Sequence, residues 1–148
     1  MKLAATLVLA IAAGAAAPTV ITDPEAFVRE VYRHIEADPS GYPPPADIYT
    51  PRLAALFRAD QLRHKEEVGC VDFDFWTNTQ DPTGIRDIRI AGRPSKDPAR
   101  KTVVATFMLG GPMEIHFQFR RAGSRWLLDE VSSHQGERWV LSQLLRCK

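Results

Sequence analysis

Met113-Glu114-Ile115-His116-Phe117-Gln118-Phe119-Arg120-Arg121 is the stretch whose reading decides the fold. Ile115, Phe117 and Phe119 alternate with Glu114, His116, Gln118 and Arg120. That period-two pattern belongs to a strand with one buried face and one wet or differently lined face. Ala122-Gly123-Ser124 follows as a hairpin turn, and Arg125 to Ser133 reads as the last strand. Upstream, Gly110-Gly111-Pro112 ends an apolar run over Thr102 to Leu109, and Gly92 ends another over Ile85 to Ala91. Short apolar runs separated by turn residues are the mark of antiparallel strands, here about four of them.

The half of the chain before Ile85 is helical in pattern. Asp23-Pro24-Glu25 is a helix start, with Asp23 placed to cap free amides, Pro24 suited to the first position and Glu25 at the positive end of the dipole. Phe27, Val28, Val31, Tyr32 and Ile35 then fall on one helical face, up to Asp38-Pro39. Pro39-Ser40-Gly41-Tyr42-Pro43-Pro44-Pro45 is a loop. Thr50-Pro51 repeats the cap-then-proline device and opens a second helix with Leu53, Leu56 and Phe57 buried, running to about Glu67. Cys70 to Trp76 alternates acidic and apolar residues before a loop from Thr77 to Gly84, and Glu137 to Cys147 reads as a short closing helix. Helices, then strands, then a short helix give an α+β domain whose helices cover one face of the sheet.

The first seventeen residues carry a different message. Met1-Lys2 and the apolar run Leu3 to Ala13 have the layout of a secretory signal peptide, and the small residues Gly14 to Ala17 offer cleavage sites. Pro18 hinders cleavage after Ala17, so the expected cut follows Ala15 or Ala16. The apolar run is shorter than the ~20 residues a spanning helix needs, which argues against a membrane anchor. The expectation is a leader over 1–17 and one domain over 18–148, with no stable membrane insertion after cleavage, exported to the bacterial periplasm or secreted. Loss of Lys2 brings the 19 basic residues down to balance the 18 acidic ones, a pattern that does not suit nucleic acid as a partner. Cys70 and Cys147 are an even pair in an exported chain, and a disulfide between them is expected.

The helix pair followed by antiparallel strands, ending in Ser124-Arg125-Trp126-Leu127-Leu128-Asp129-Glu130-Val131, resembles the cone-shaped nuclear transport factor two-like superfamily. Asp23-Pro24, Ile48-Tyr49-Thr50-Pro51-Arg52-Leu53, the Asp72 to Asp81 stretch with Gln80-Asp81, and that strand are together similar to a family of bacterial exported proteins, a domain of unknown function. The resemblance implies a sheet curled round the helices, with a pocket at the open end of the cone. Members include isomerases and dehydratases that place an Asp, Tyr or His in the pocket, and others that only bind or assemble. Fold analogy does not choose between them.

The residues leave several chemistries open. Asp60 and His64, four apart on one helix face, form either a base with its orienting carboxylate or a surface ion pair. Asp81, beside Gln80, and Asp129, between Leu128 and Glu130, are carboxylates that an apolar pocket would raise in pKa; Asp81 is equally suited to fastening its loop. Trp76, with Phe73 and Phe75, suits a flat ligand or a core. Trp76, Gln80, Asp81 and Asp129 are therefore the candidate pocket residues. The four histidines show no zinc-type spacing, and Asp72, Asp74 and Asn78 lack the glycine and glutamate of a calcium loop, so no metal and no cofactor is expected. No nucleophile motif occurs.

Three functions fit. The first is a non-catalytic binding module for a small molecule or a protein. The second is a small isomerase or dehydratase with Asp81 or Asp129 as base, assisted by Tyr32 or His64. The third is an inhibitor or immunity-type partner of a secreted toxin.

Overall fold

The computed structural model describes residues 19–148, and the expected leader and its cleavage site lie outside them. The elements follow as α1 (Pro24–Ala37), α2 (Pro51–His64), β1 (Arg86–Arg93), β2 (Arg100–Met108), β3 (Pro112–Ala122), β4 (Arg125–Gln135), β5 (Trp139–Val140) and α3 (Leu141–Leu144). The five strands pair in chain order as one antiparallel sheet, so the architecture is α+β as expected.

Both long helices begin where the sequence places them. Asp23 Oδ1 accepts from the amides of Glu25 and Ala26, and Thr50 Oγ1 accepts from that of Leu53. One face of α1 buries Val28, Val31, Tyr32 and Ile35 against Val103, Ala105, Phe107, Ile115, Phe117 and Phe119 of the central strands. Ile115, Phe117 and Phe119 come from the alternation in Met113 to Arg121, and their outward neighbours Glu114, His116 and Gln118 are more exposed; Val103, Ala105 and Phe107 belong to β2.

Two boundaries depart from expectation. The closing helix from Glu137 is instead a two-residue strand, in which Trp139 and Val140 pair with Ser133 and Ser132, followed by the four-residue α3. The apolar residues there satisfy strand and helix periods alike, and pairing to a distant strand decides between them. Helix α2 stops at His64, three residues early, because Lys65 turns to φ 27° and the chain folds back so that the Cys70 amide reaches Asp60.

The edge of β4 is covered in two halves. Its far end pairs with β5, while its near end meets the segments that precede the helices: Trp126 donates to the Ile21 carbonyl, Leu128 to that of Ile48, and Thr50 to that of Leu128. An open edge would otherwise present unpaired amides to other chains. Within β4 the register shifts, so that Gln118 faces Glu130 and Phe119 faces Leu128. Asp129 is left as the extra residue of a bulge, the kind of irregularity that re-aims a side chain.

Candidate functional site

A cleft of about 600 Å³ opens between the proline-rich loop after α1 and the loop that leads into β1. This volume falls within the range of small-ligand sites. Tyr42, Pro43 and Pro44 form one wall, and Phe73, Asp74, Phe75, Trp76 and Gln80 the other. The first loop leaves α1 through Asp38, whose Oδ1 accepts from the Ser40 amide, and then bends at Gly41, where φ is 113°. Only glycine adopts that backbone freely.

The second wall is a tight turn built on Asp74. Its amide donates to the Thr79 carbonyl, its Oδ1 accepts from the Trp76 amide at 2.9 Å, and its Oδ2 accepts from Thr77 Oγ1 at 3.3 Å. Asn78, at φ 57°, ties the turn to the sheet: Nδ2 donates to Ser133 Oγ and the Glu137 carbonyl, and Oδ1 accepts from Trp139 Nε1 at 2.7 Å. Trp76 is 1% exposed; its ring stacks on Phe117 at 4.9 Å and meets Tyr42 edge-on at 5.8 Å. Its Nε1 is buried without a hydrogen-bond partner among the described residues. Such a stranded donor costs roughly 1–3 kcal/mol, so packing must hold the indole in place.

Burial raises the Asp74 carboxyl above its ordinary value, against the lowering effect of the Trp76 amide and Thr77. No cationic side chain pairs with it among the described residues, and the cleft lining contains no Lys, Arg or His. Ionised, Asp74 is therefore a half-buried negative charge in a mainly apolar wall, a costly arrangement when no countercharge is present.

The candidate residues divide among five places. Trp76 and Gln80 line the cleft, with Gln80 Nε2 donating to the Asp72 carbonyl. Asp81 is exposed outside the lining, where its Oδ1 accepts from the Thr83 amide. Hydrogen bonding to Thr83 lowers its carboxyl, the reverse of the rise a catalytic base in an apolar pocket would show. Tyr32 is fully buried below the cleft, with its hydroxyl donating to the Trp76 carbonyl and its own pKa pushed well up by burial.

Asp129 lies in a separate hollow of about 330 Å³ beside Thr50, Arg52 and Arg120. Burial works to raise its carboxyl, but hydrogen bonds from Thr50 and Arg120, with the charge of Arg52, outweigh it and the net direction is down. Asp129 is thus a held, ionised carboxylate, and the expected upward shift is not found there. The bulge turns it away from the core and onto the start of α2.

Asp60 and His64 are at the other end of α2. Asp60 is 7% exposed, so the pair is not a surface ion pair of the ordinary kind. Both carboxylate oxygens accept from the Cys70 amide at 3.2 Å, Arg63 Nη2 lies 3.4 Å from Oδ1, and His64 Nδ1 lies 3.0 Å from the same atom. A Cβ on Gly69 would stand 2.3 Å from Asp60 Oδ2, so the chain wraps the carboxylate too closely for any other residue. Cys70 and Cys147 are joined as expected. Asp60, His64 and the two sulfurs lie within 4.8 Å of one another, but the disulfide occupies both sulfurs, and the cluster secures the carboxyl-terminal segment to α2.

Tyr42, Asp74 and Asn78 are not among the expected pocket residues; Asp74 and Asn78 are weighed only as calcium ligands, and Tyr42 only as part of a loop. The signal was present in the Asp-Phe-Asp-Phe-Trp run, where an acid is set between aromatics. No helix among the described residues is long and apolar enough to cross a membrane. Comparison of the chain with protein-family models, curated proteins and solved structures found no match. Fold and site together describe an α+β domain with an antiparallel sheet and a ligand-sized cleft built by two loops.

Proposed function

We propose that the chain is an exported, non-catalytic binding module of the nuclear transport factor two-like kind, made with a leader over residues 1–17 and working in the periplasm. The observation that carries this reading is the aromatic-walled cleft between residues 40–44 and 73–82, which has ligand dimensions and a mainly apolar lining without Lys, Arg or His. The Cys70–Cys147 bond suits an oxidising compartment. A ligand screen by thermal shift and titration calorimetry on the disulfide-bonded domain tests the reading. Compounds should raise the melting temperature and be recovered unmodified, and Ser40→Trp, which fills the cleft mouth, should abolish the shift. A screen that yields no cleft ligand, or one that yields turnover, overturns it.

One observation favours a second reading, a small isomerase or dehydratase. The raised Asp74 carboxyl is the proton-transfer group such an enzyme needs, in place of Asp81 or Asp129. The two groups expected to assist are occupied elsewhere: the Tyr32 hydroxyl donates to the Trp76 carbonyl, and His64 is in the disulfide cluster. Turnover that Asp74→Asn abolishes would establish this reading over the first.

A further inference from the structure

Resting on the binding-module reading, we infer that the cleft selects an organic cation, an alkyl- or arylammonium group held between the Asp74 carboxylate and the faces of the surrounding aromatic rings. Three observations converge on that chemistry. The first is charge: among the described residues Asp74 has no cationic partner and the lining has no other ionised side chain at neutral pH, so an entering anion meets repulsion and an entering cation supplies a countercharge. The carboxylate also has capacity to spare, since two hydrogen bonds within its own turn leave acceptor sites open on an ionised group that has about four.

The second observation is the wall. Tyr42, Phe73, Phe75 and Trp76 line the cleft together with the acid; Tyr42 and Phe73 are only partly buried and leave ring surface accessible, while Phe75 and Trp76 are buried behind them. Ring faces carry the negative end of the aromatic quadrupole and attract ammonium groups within about 6 Å. Pro43 and Pro44 extend the apolar lining beside these rings.

The third observation is rigidity. Asp74 is fixed by its own turn and Trp76 by its stack on Phe117, while Asn78 bolts the turn to β4. The ring nearest the mouth, Tyr42, is itself packed edge-on to His34 of α1 at 5.4 Å. The site needs little reordering to receive a ligand, and preorganisation of this kind preserves affinity.

The test compares three probes of similar shape on the disulfide-bonded protein: benzyltrimethylammonium, benzyl alcohol and benzoate, titrated by calorimetry with chemical-shift mapping of the tryptophan indoles. The cation should bind at least about tenfold more tightly than the alcohol, benzoate should not bind, and Asp74→Asn should erase the preference. The comparison among probes needs no variant, so it stands even if Asp74→Asn does not fold. Equal binding of cation and alcohol, or a preference that survives Asp74→Asn, overturns the cation inference and leaves the binding module in place. If none of the three binds while the wider screen finds cleft ligands, the cation inference alone falls. If neither experiment finds a ligand, both fall.

Discussion

Replacing Asn78 by alanine should cost about 4 kcal/mol of folding stability, and the figure can be assembled from the structure. Three hydrogen bonds disappear: those from Nδ2 to Ser133 Oγ at 3.2 Å and the Glu137 carbonyl at 3.0 Å, and the one Oδ1 accepts from Trp139 Nε1 at 2.7 Å. At about 0.5–1.5 kcal/mol each they contribute roughly 2–3 kcal/mol, with the upper part favoured because Trp139 is 8% exposed and its donor is left stranded. The backbone at φ 57° adds about 1 kcal/mol, since asparagine tolerates the left-handed region better than alanine does. Asn78→Gly loses the same bonds without that backbone cost and should be about 1 kcal/mol milder. Asn78→Asp keeps the acceptor for Trp139 and the backbone tolerance but sets a carboxylate oxygen against the Glu137 carbonyl, so it should be no milder than glycine. Urea unfolding followed by tryptophan fluorescence reads all three, with the slope unchanged if only stability moves. A loss below about 1 kcal/mol in Asn78→Ala would refute the hydrogen-bond account. A glycine variant no better than alanine would refute the backbone part.

Removing the disulfide with Cys70→Ser and Cys147→Ser should lower stability by roughly 4 kcal/mol, the chain-entropy value for two cysteines 77 residues apart, measured as a shift of the urea midpoint. A shift under about 1 kcal/mol would mean that the Asp60 cluster holds the carboxyl-terminal segment without the covalent bond. His134 provides a pH test. Burial first, then the neighbouring charge of His116, whose ring stacks on it at 3.7 Å, holds its pKa below the ordinary value. A base depressed in the folded state takes up its proton more readily when unfolded, so its contribution to stability is complete above the unfolded pKa and is lost as pH falls below about 6.5. Thermal melts from about pH 7.5 to about pH 5 should show this decline, with a shallower slope in His134→Gln; an unchanged slope would remove His134 as its source.

The hairpin of β3 and β4 was legible because its pattern is local: Ile115, Phe117 and Phe119 alternate with polar neighbours whatever the rest of the chain does. The two helix starts were legible for the same reason, since Asp23-Pro24 and Thr50-Pro51 need only their own first turns. Strand β5 was not, because Trp139 and Val140 become a strand only through Ser133 and Ser132. The Asp129 bulge was hidden likewise, as it depends on register with Gln118 and Phe119. Of the site, Trp76 and Gln80 could be named, but the cleft joins loops some thirty residues apart in the chain, and no pattern within one loop announces the other. Asp74 read as the wet side of an alternation. Its burial comes from tertiary packing alone.

The divided cover of β4 bears on the order in which the polypeptide can mature. Ile21 bonds to Trp126, and the Ile48 to Thr50 segment bonds to Leu128, so both earlier segments wait for a strand synthesised about 80 to 105 residues after them. Contacts of such long sequence separation form late and slowly. A nascent chain of this topology therefore stays incompletely folded until β4 has been made, and the segments at Ile21 and at Ile48 to Thr50 remain without their strand partner until then.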